Sequence, residues 1–288
     1  MRTALVSTRE GRFEVLHQGQ PEGDAIVLLH GFPETNAMWR STMAELATLG
    51  HFVIAPNQRG YGKSFRPYGK KLYDLDYLAA DVQSLTEAFG INRYAVVGHD
   101  WGAAVAWWLA SGKPSGLTAI VALSAPHPAI WRDAMDNDPE QRALSRYVRF
   151  IGIPALPELL VRAGRFKSLE KAVEPSSLPP DVLAAYHAAW REPRALTAML
   201  NWYRAFLARR MPALESLRVE VPAMLLHGSD DPFMTHQVAA RSAELCQRCD
   251  LRSIDGAGHW LPRSAPQVVA EQMSPFLKSA FADQCVNR

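Results

Sequence analysis

The stretch Tyr94-Ala95-Val96-Val97-Gly98-His99-Asp100-Trp101-Gly102 decides how this chain is read. Tyr94 to Val97 is a short apolar strand, and an apolar helix follows the turn to about Ser111. Glycine stands two positions before and two positions after Asp100. Side chains at those two places would collide with the neighbours of so tight a turn. This is the G-x-nucleophile-x-G spacing of a nucleophile elbow, with Asp where Ser is frequent. The helix that follows points its positive end and its free N–H groups at Asp100, which favours the ionised carboxylate that attacks carbon. An aspartate that merely caps a helix has the same local look, so the partners elsewhere in the chain must decide.

Working outward, Ala25 to His30 and Phe52 to Ala55 read as buried strands, and Leu117 to Leu123 as another. Ala37 to Leu49 and Leu75 to Phe89 read as helices, the second closed by Gly90. Strands alternating with helices give an α/β fold with a parallel sheet covered on both faces. From about His127 to Leu217 the pattern is helical, broken by Pro139, Pro154, Pro157, Pro175, Pro179, Pro180, Pro193 and Pro212. The alternation returns after Pro222: strand Ala223 to His227, helix His236 to Cys246, strand Asp250 to Ile254 and closing helix Pro266 to Phe281. The expected organisation is a core at 1–126, a helical cap at 127–217 and the rest of the core at 218–288. Ligands of such sheets bind at the carboxyl ends of the strands, where a cap would close the pocket.

An elbow enzyme needs an acid and a histidine, in the chain order nucleophile, acid, base. Gly228-Ser229-Asp230-Asp231 and Gly256-Ala257-Gly258-His259 each follow a strand. His259 is the expected base, oriented by Asp231 or Asp230. His30-Gly31-Phe32-Pro33 follows the first strand. The backbone N–H groups of Phe32 and Trp101 are the expected oxyanion hole, and the bond before Pro33 is a candidate for the cis form. His30 is expected to be a structural hydrogen-bonding residue. Glu34, beside this turn, is assigned to holding water.

The chain has 288 residues, with 31 Lys and Arg against 29 Asp and Glu, a formal net charge of +2. That balance gives no electrostatic case for nucleic acid or an anionic membrane. The longest apolar run, Ala103 to Ala110, falls far short of the roughly 18 residues that cross a bilayer. Three cysteines and the absence of an apolar N-terminal segment suit the cytoplasm. The Cys246–Cys249 C-x-x-C pair reads as incidental, without the second pair or helix-opening position that redox or metal chemistry needs.

Taken together, these motifs resemble the epoxide hydrolases of the α/β-hydrolase fold. The resemblance runs from His30-Gly31-Phe32-Pro33-Glu34 through Arg59-Gly60-Tyr61-Gly62-Lys63-Ser64, the elbow and Ala125-Pro126-His127-Pro128 to Gly258-His259-Trp260. That family uses two cap tyrosines to hold and protonate the epoxide oxygen. Asn201-Trp202-Tyr203-Arg204 matches its N-[WY]-Y-R pattern fully. The segment from Tyr147 to Pro154 matches Y-x-x-x-F-Q-x-P in its Tyr and Pro, with Ile151 and Gly152 replacing Phe and Gln. Asn57 stands where the family often has Asp. The resemblance implies Asp100 as nucleophile, Asp231 as acid, His259 as base, and Tyr147 and Tyr203 as proton donors. It implies a small apolar epoxide and water as reactants, with no metal or organic cofactor, in a monomer or homodimer. Haloalkane and haloacetate dehalogenases share the aspartate nucleophile. However, Phe32 occupies the place of their second halide donor, and Trp101 that of the haloacetate enzymes' carboxylate-binding Arg. A non-catalytic binder of a small ligand would have no need of the nucleophile and base.

Overall fold

The structure, a computed structural model, describes residues 1–174 and 178–283. Eight strands form one sheet: β1 (Arg2–Ser7), β2 (Arg12–Gln18), β3 (Ala25–Leu29), β4 (Phe52–Pro56), β5 (Tyr94–His99), β6 (Leu117–Leu123), β7 (Ala223–Gly228) and β8 (Cys249–Ile254). Their order across the sheet is β1-β2-β4-β3-β5-β6-β7-β8. From β4 to β8 every pairing is parallel, whereas β2 runs antiparallel to both β1 and β4. Strands β3 to β7 are buried along their whole lengths, as expected of a sheet covered on both faces. The core helices are α1 (Arg40–Thr48), α2 (Leu75–Ala88) and α3 (Trp101–Ser111). Between β6 and β7 come α4 (Pro128–Asn137), α5 (Pro139–Leu144), α6 (Arg146–Gly152), α7 (Leu156–Ala163), α8 (Lys167–Ala172), α9 (Pro180–Arg191) and α10 (Ala195–Ala208). The chain closes with α11 (His236–Ala243), α12 (Leu261–Ser264) and α13 (Pro266–Asp283).

Several expectations need adjustment. The N-terminal hairpin β1–β2 was not expected. The helix expected from Ala37 begins as a 3₁₀ turn at Asn36–Trp39 and becomes α-helical at Arg40. The helix expected to reach Cys246 stops at Ala243, because Cys246 pairs with Val219 in an isolated parallel bridge. Cys246 and Cys249 are free, partly buried thiols, one in that bridge and the other opening β8. Among the described residues the segment between β6 and β7 holds no strand. Pro175 lies outside the described residues.

Strand β3 lies between β4 and β5, so the chain leaves it in one direction and later returns on its other side. This switch point opens a crevice beyond the carboxyl ends of β3 and β5. The loop after β3 carries Phe32 there, and the turn after β5 carries Asp100. The loops after β7 and β8 bring Asp231 and His259 to the same edge. The α4–α10 segment is fixed over this edge by two indole N–H groups. Trp190 donates to the Pro33 carbonyl (2.6 Å) and Trp202 to the Arg59 carbonyl (3.0 Å).

Candidate active site

Asp100 sits at φ 51° and ψ −120°, a sparsely populated backbone conformation that costs a non-glycine residue on the order of 1–3 kcal/mol. Its glycine neighbours make the turn possible. A Cβ at Gly98 would lie 2.2 Å from the Gly102 carbonyl oxygen, and one at Gly102 would lie 2.1 Å from that of Leu29. Gly31 is equally constrained, since its Cβ would fall 2.4 Å from that of Asp100. The bare Gly31 lets the turn after β3 close on Asp100, and the Phe32 N–H donates to Asp100 Oδ1 at 2.7 Å. The Trp101 N–H is the first α3 amide left without an intrahelical acceptor. The Phe32–Pro33 bond is cis.

The other Asp100 oxygen, Oδ2, is 3.6 Å from His259 Nε2. His259 Nδ1 in turn meets Asp231 Oδ2 at 3.0 Å, and the Phe233 N–H holds Asp231 Oδ1 at 2.8 Å. Asp231, not Asp230, therefore faces the imidazole; Asp230 is exposed and accepts from the Ser229 hydroxyl. Burial alone would lower the His259 pKa. The Asp231 and Asp100 carboxylates on either side outweigh it and raise the pKa to about 10.

Tyr147 and Tyr203 come from α6 and α10 and stand over Asp100, their rings 6.2 Å apart and edge-on. Burial, followed by nearby ionisable groups that include Asp100, pushes both phenols well above the usual tyrosine range. They remain proton donors at any ordinary pH. The Trp101 and Tyr203 rings lie 4.9 Å apart, edge to face. The bare Gly152 fits the contact of α6 with α10, for a Cβ there would press on Leu207 Cδ1 at 2.7 Å.

A cavity of about 340 Å³ is lined by Asp100, Tyr147, Tyr203, Phe32, Pro33 and His259, and its far wall is apolar, with Phe150, Ile151, Val161, Leu169 and Leu200. A smaller lobe of about 30 Å³, walled by Trp101, Trp131 and Met234, shares Asp100, Tyr147 and His259. Phe150 thus belongs to the cavity wall. Trp190, Trp202 and Met199 are buried cap residues outside both lobes.

His30 lies behind the turn. Its Nδ1–H donates to the Gly31 carbonyl at 2.9 Å, and its Nε2 accepts from the Gln58 N–H at 3.1 Å. Glu34 departs from its expected place. Its carboxylate is fully buried and outside the cavity lining, held by His99 Nδ1 (2.9 Å), Arg263 Nε (3.0 Å) and the Tyr186 hydroxyl (3.2 Å). Burial would raise its pKa, but His99 and Arg263 reverse this and hold it low. His99 Nε2 lies 3.0 Å from the His259 carbonyl oxygen, so this network joins the turn after β3 to the His259 loop. His99, Tyr186 and Arg263 escaped the sequence reading because their partners lie far away along the chain.

An aspartate at positive φ on an α/β elbow, held by a backbone donor and facing an Asp–His pair, is the arrangement of a hydrolase of the α/β type. The chain belongs to the alpha/beta hydrolase fold family, which matches residues 24–264. Within that family it groups with the epoxide hydrolases. Epoxide hydrolase A of Mycobacterium tuberculosis is 30% identical over 95% of this chain and 96% of its own length. The AB hydrolase superfamily protein YfhM of Bacillus subtilis is 35% identical, covering 96% and 97%. The structure of the Bacillus megaterium epoxide hydrolase with an inhibitor matches with a TM-score of 0.85 at 25% identity, covering 96% of this chain and all of that one. Among the described residues, no helix is long and apolar enough to cross a membrane.

Proposed function

We propose that this chain converts an apolar epoxide and water into a vicinal diol through a hydroxyalkyl ester on Asp100. The observation that carries the reading is two buried phenols set over an aspartate whose Oδ1 is already held by the Phe32 N–H. Oδ2 attacks the less hindered face of an epoxide carbon, opposite the breaking C–O bond. Tyr147 and Tyr203 hydrogen-bond the epoxide oxygen and supply its proton. An ordinary phenol is a stronger acid than the alcohol formed when the alkoxide takes its proton, so the transfer runs toward the product. The ester carries no charge, so His259 loses one of the two carboxylates that raised its pKa; its pKa falls, and the imidazolium returns a proton to the tyrosinate left by ring opening, leaving the neutral imidazole that can act as base. It then takes a proton from water, which attacks the ester carbonyl, while the Phe32 and Trp101 N–H groups stabilise the oxyanion. Diol release regenerates Asp100.

The cap is placed at 127–217, flanked by the core at 1–126 and 218–288. A cytoplasmic site of action fits the free Cys246 and Cys249 thiols. The test is the intact mass of His259→Gln after exposure to aryl and alkyl epoxides and haloalkanes. The expected result is a gain equal to one whole epoxide, mapped to Asp100. A gain equal to substrate less hydrogen halide would assign a dehalogenase, and no adduct with any epoxide would overturn the reading.

A further inference from the structure

Helix α7 presents the wrong face to water. Its sequence, Leu156-Pro157-Glu158-Leu159-Leu160-Val161-Arg162-Ala163, places Leu156, Leu159, Leu160 and Ala163 at i, i+3, i+4 and i+7 on one side. In a globular protein such a stripe faces the core. Here it faces out: Leu159 is 65% exposed, Leu160 52% and Leu156 40%. The opposite side holds the buried Glu158, whose carboxylate pairs with Arg204 at 2.7 and 2.8 Å, and the cavity-lining Pro157 and Val161. Phe150 and Ile153, each 42% exposed, lie immediately before the stripe in the chain. A cluster of large exposed apolar side chains is costly unless something covers it.

The surrounding charges say what covers it. Arg149, Arg162, Arg165, Lys167 and Lys171 are exposed along the same segment, and none pairs with a carboxylate among the described residues. From 145 to 174 six Lys and Arg stand against three acids: Glu158, buried against Arg204, Glu170, which lies near His187, and Glu174. An apolar stripe with unpaired cations beside it has the make-up of a helix that lies in the headgroup layer of an anionic bilayer. A second copy docked about a two-fold axis would set these cations against their own symmetry mates. The net charge of +2 hides the cluster, because acids elsewhere in the chain cancel it in the total.

We infer that α6 to α8 form a docking surface for an anionic lipid surface, with the α7 leucines entering the interface. Phe150 both lines the large cavity and stands exposed, so the cavity wall is continuous with this surface. An apolar compound dissolved in lipid would then reach the cavity without crossing bulk water. The docking itself is independent of the reaction assigned to the cavity.

The test is co-sedimentation of the full chain with vesicles of equal parts phosphatidylglycerol and phosphatidylcholine, against phosphatidylcholine alone. Binding to the anionic vesicles only is expected, falling about fivefold for each cation removed in Arg162→Gln and Arg165→Gln. Leu159→Asp with Leu160→Asp should abolish it while leaving the thermal unfolding midpoint within a few degrees. Failure to bind anionic vesicles, or undiminished binding by these folded variants, would overturn the proposal. So would a dimer in analytical ultracentrifugation that the Leu159→Asp/Leu160→Asp variant abolishes, since the face would then belong to a second copy.

Discussion

Asp100 divides its two oxygens between two tasks. Oδ1 is committed to the Phe32 N–H, and Oδ2 is left toward His259 and the cavity. The division depends on Gly31, so Gly31→Ala is expected to push the turn away and weaken the Phe32 donor. Loss of one such donor costs about 10²- to 10³-fold in rate, which pre-steady-state ester formation and breakdown would measure. A variant as fast as the parent would show that Phe32 is not needed. Replacing Tyr147 and Tyr203 together with Phe removes the acid but keeps the packing, and diol formation should disappear. Asp231→Asn removes the largest of the influences that raise the His259 pKa, so its NMR titration should move down from about 10. Ester hydrolysis should fall about 10²- to 10⁴-fold, while ester formation changes far less.

At the scale of elements, α9 links the cap to the catalytic turn. Trp190 and Tyr186 lie one helical turn apart and reach Pro33 and Glu34, adjacent residues of the same loop. Trp190→Phe removes one buried hydrogen bond and leaves the Pro33 carbonyl without it, a loss of about 1–3 kcal/mol. Urea unfolding should register that loss, together with slower ester formation; unchanged stability would mean that the bond adds nothing. The elements also show what could be read in advance. Buried parallel strands such as Leu117–Leu123 are unbroken apolar runs, so their bounds were legible. The β1–β2 hairpin was not. Arg2–Ser7 is largely exposed at the edge of the sheet, and in Arg12–Gln18 the buried Phe13 and Val15 alternate with polar residues. That Asp100, Asp231 and His259 meet at one edge of the sheet was legible because each stands in a glycine-marked turn after a strand. The Glu34–His99–Arg263 network was not, since no local pattern relates residues 65 positions apart, as Glu34 and His99 are.

For the whole molecule, three buried histidines set opposite limits on stability. His30 and His127 are held neutral by burial, their pKa values pushed down to about 4 and about 3. Each also has a ring nitrogen facing a backbone N–H, from Gln58 and Ala129, so a proton there would meet a donor. The unfolded chain takes up these protons near pH 6.5. Their contribution is therefore complete above that pH and is lost as the pH falls toward 4 and 3. His259 has the opposite sign. Its folded pKa of about 10 lies above the unfolded value, so its contribution is complete below about pH 6.5 and declines as the pH rises toward 10. Stability should thus peak near neutrality and fall on both sides. Urea unfolding at pH 5, 7 and 9 would trace this, pH 9 lying below the range where the buried tyrosines add their own alkaline loss. His259→Gln should flatten the alkaline side alone. His127→Asn, which keeps an acceptor at the start of α4, should make the acid side shallower and leave the part due to His30, with the alkaline side unchanged. Stability that rises from pH 7 to 9, or an alkaline side untouched by His259→Gln, would show that the imidazolium between Asp231 and Asp100 is not the resting state.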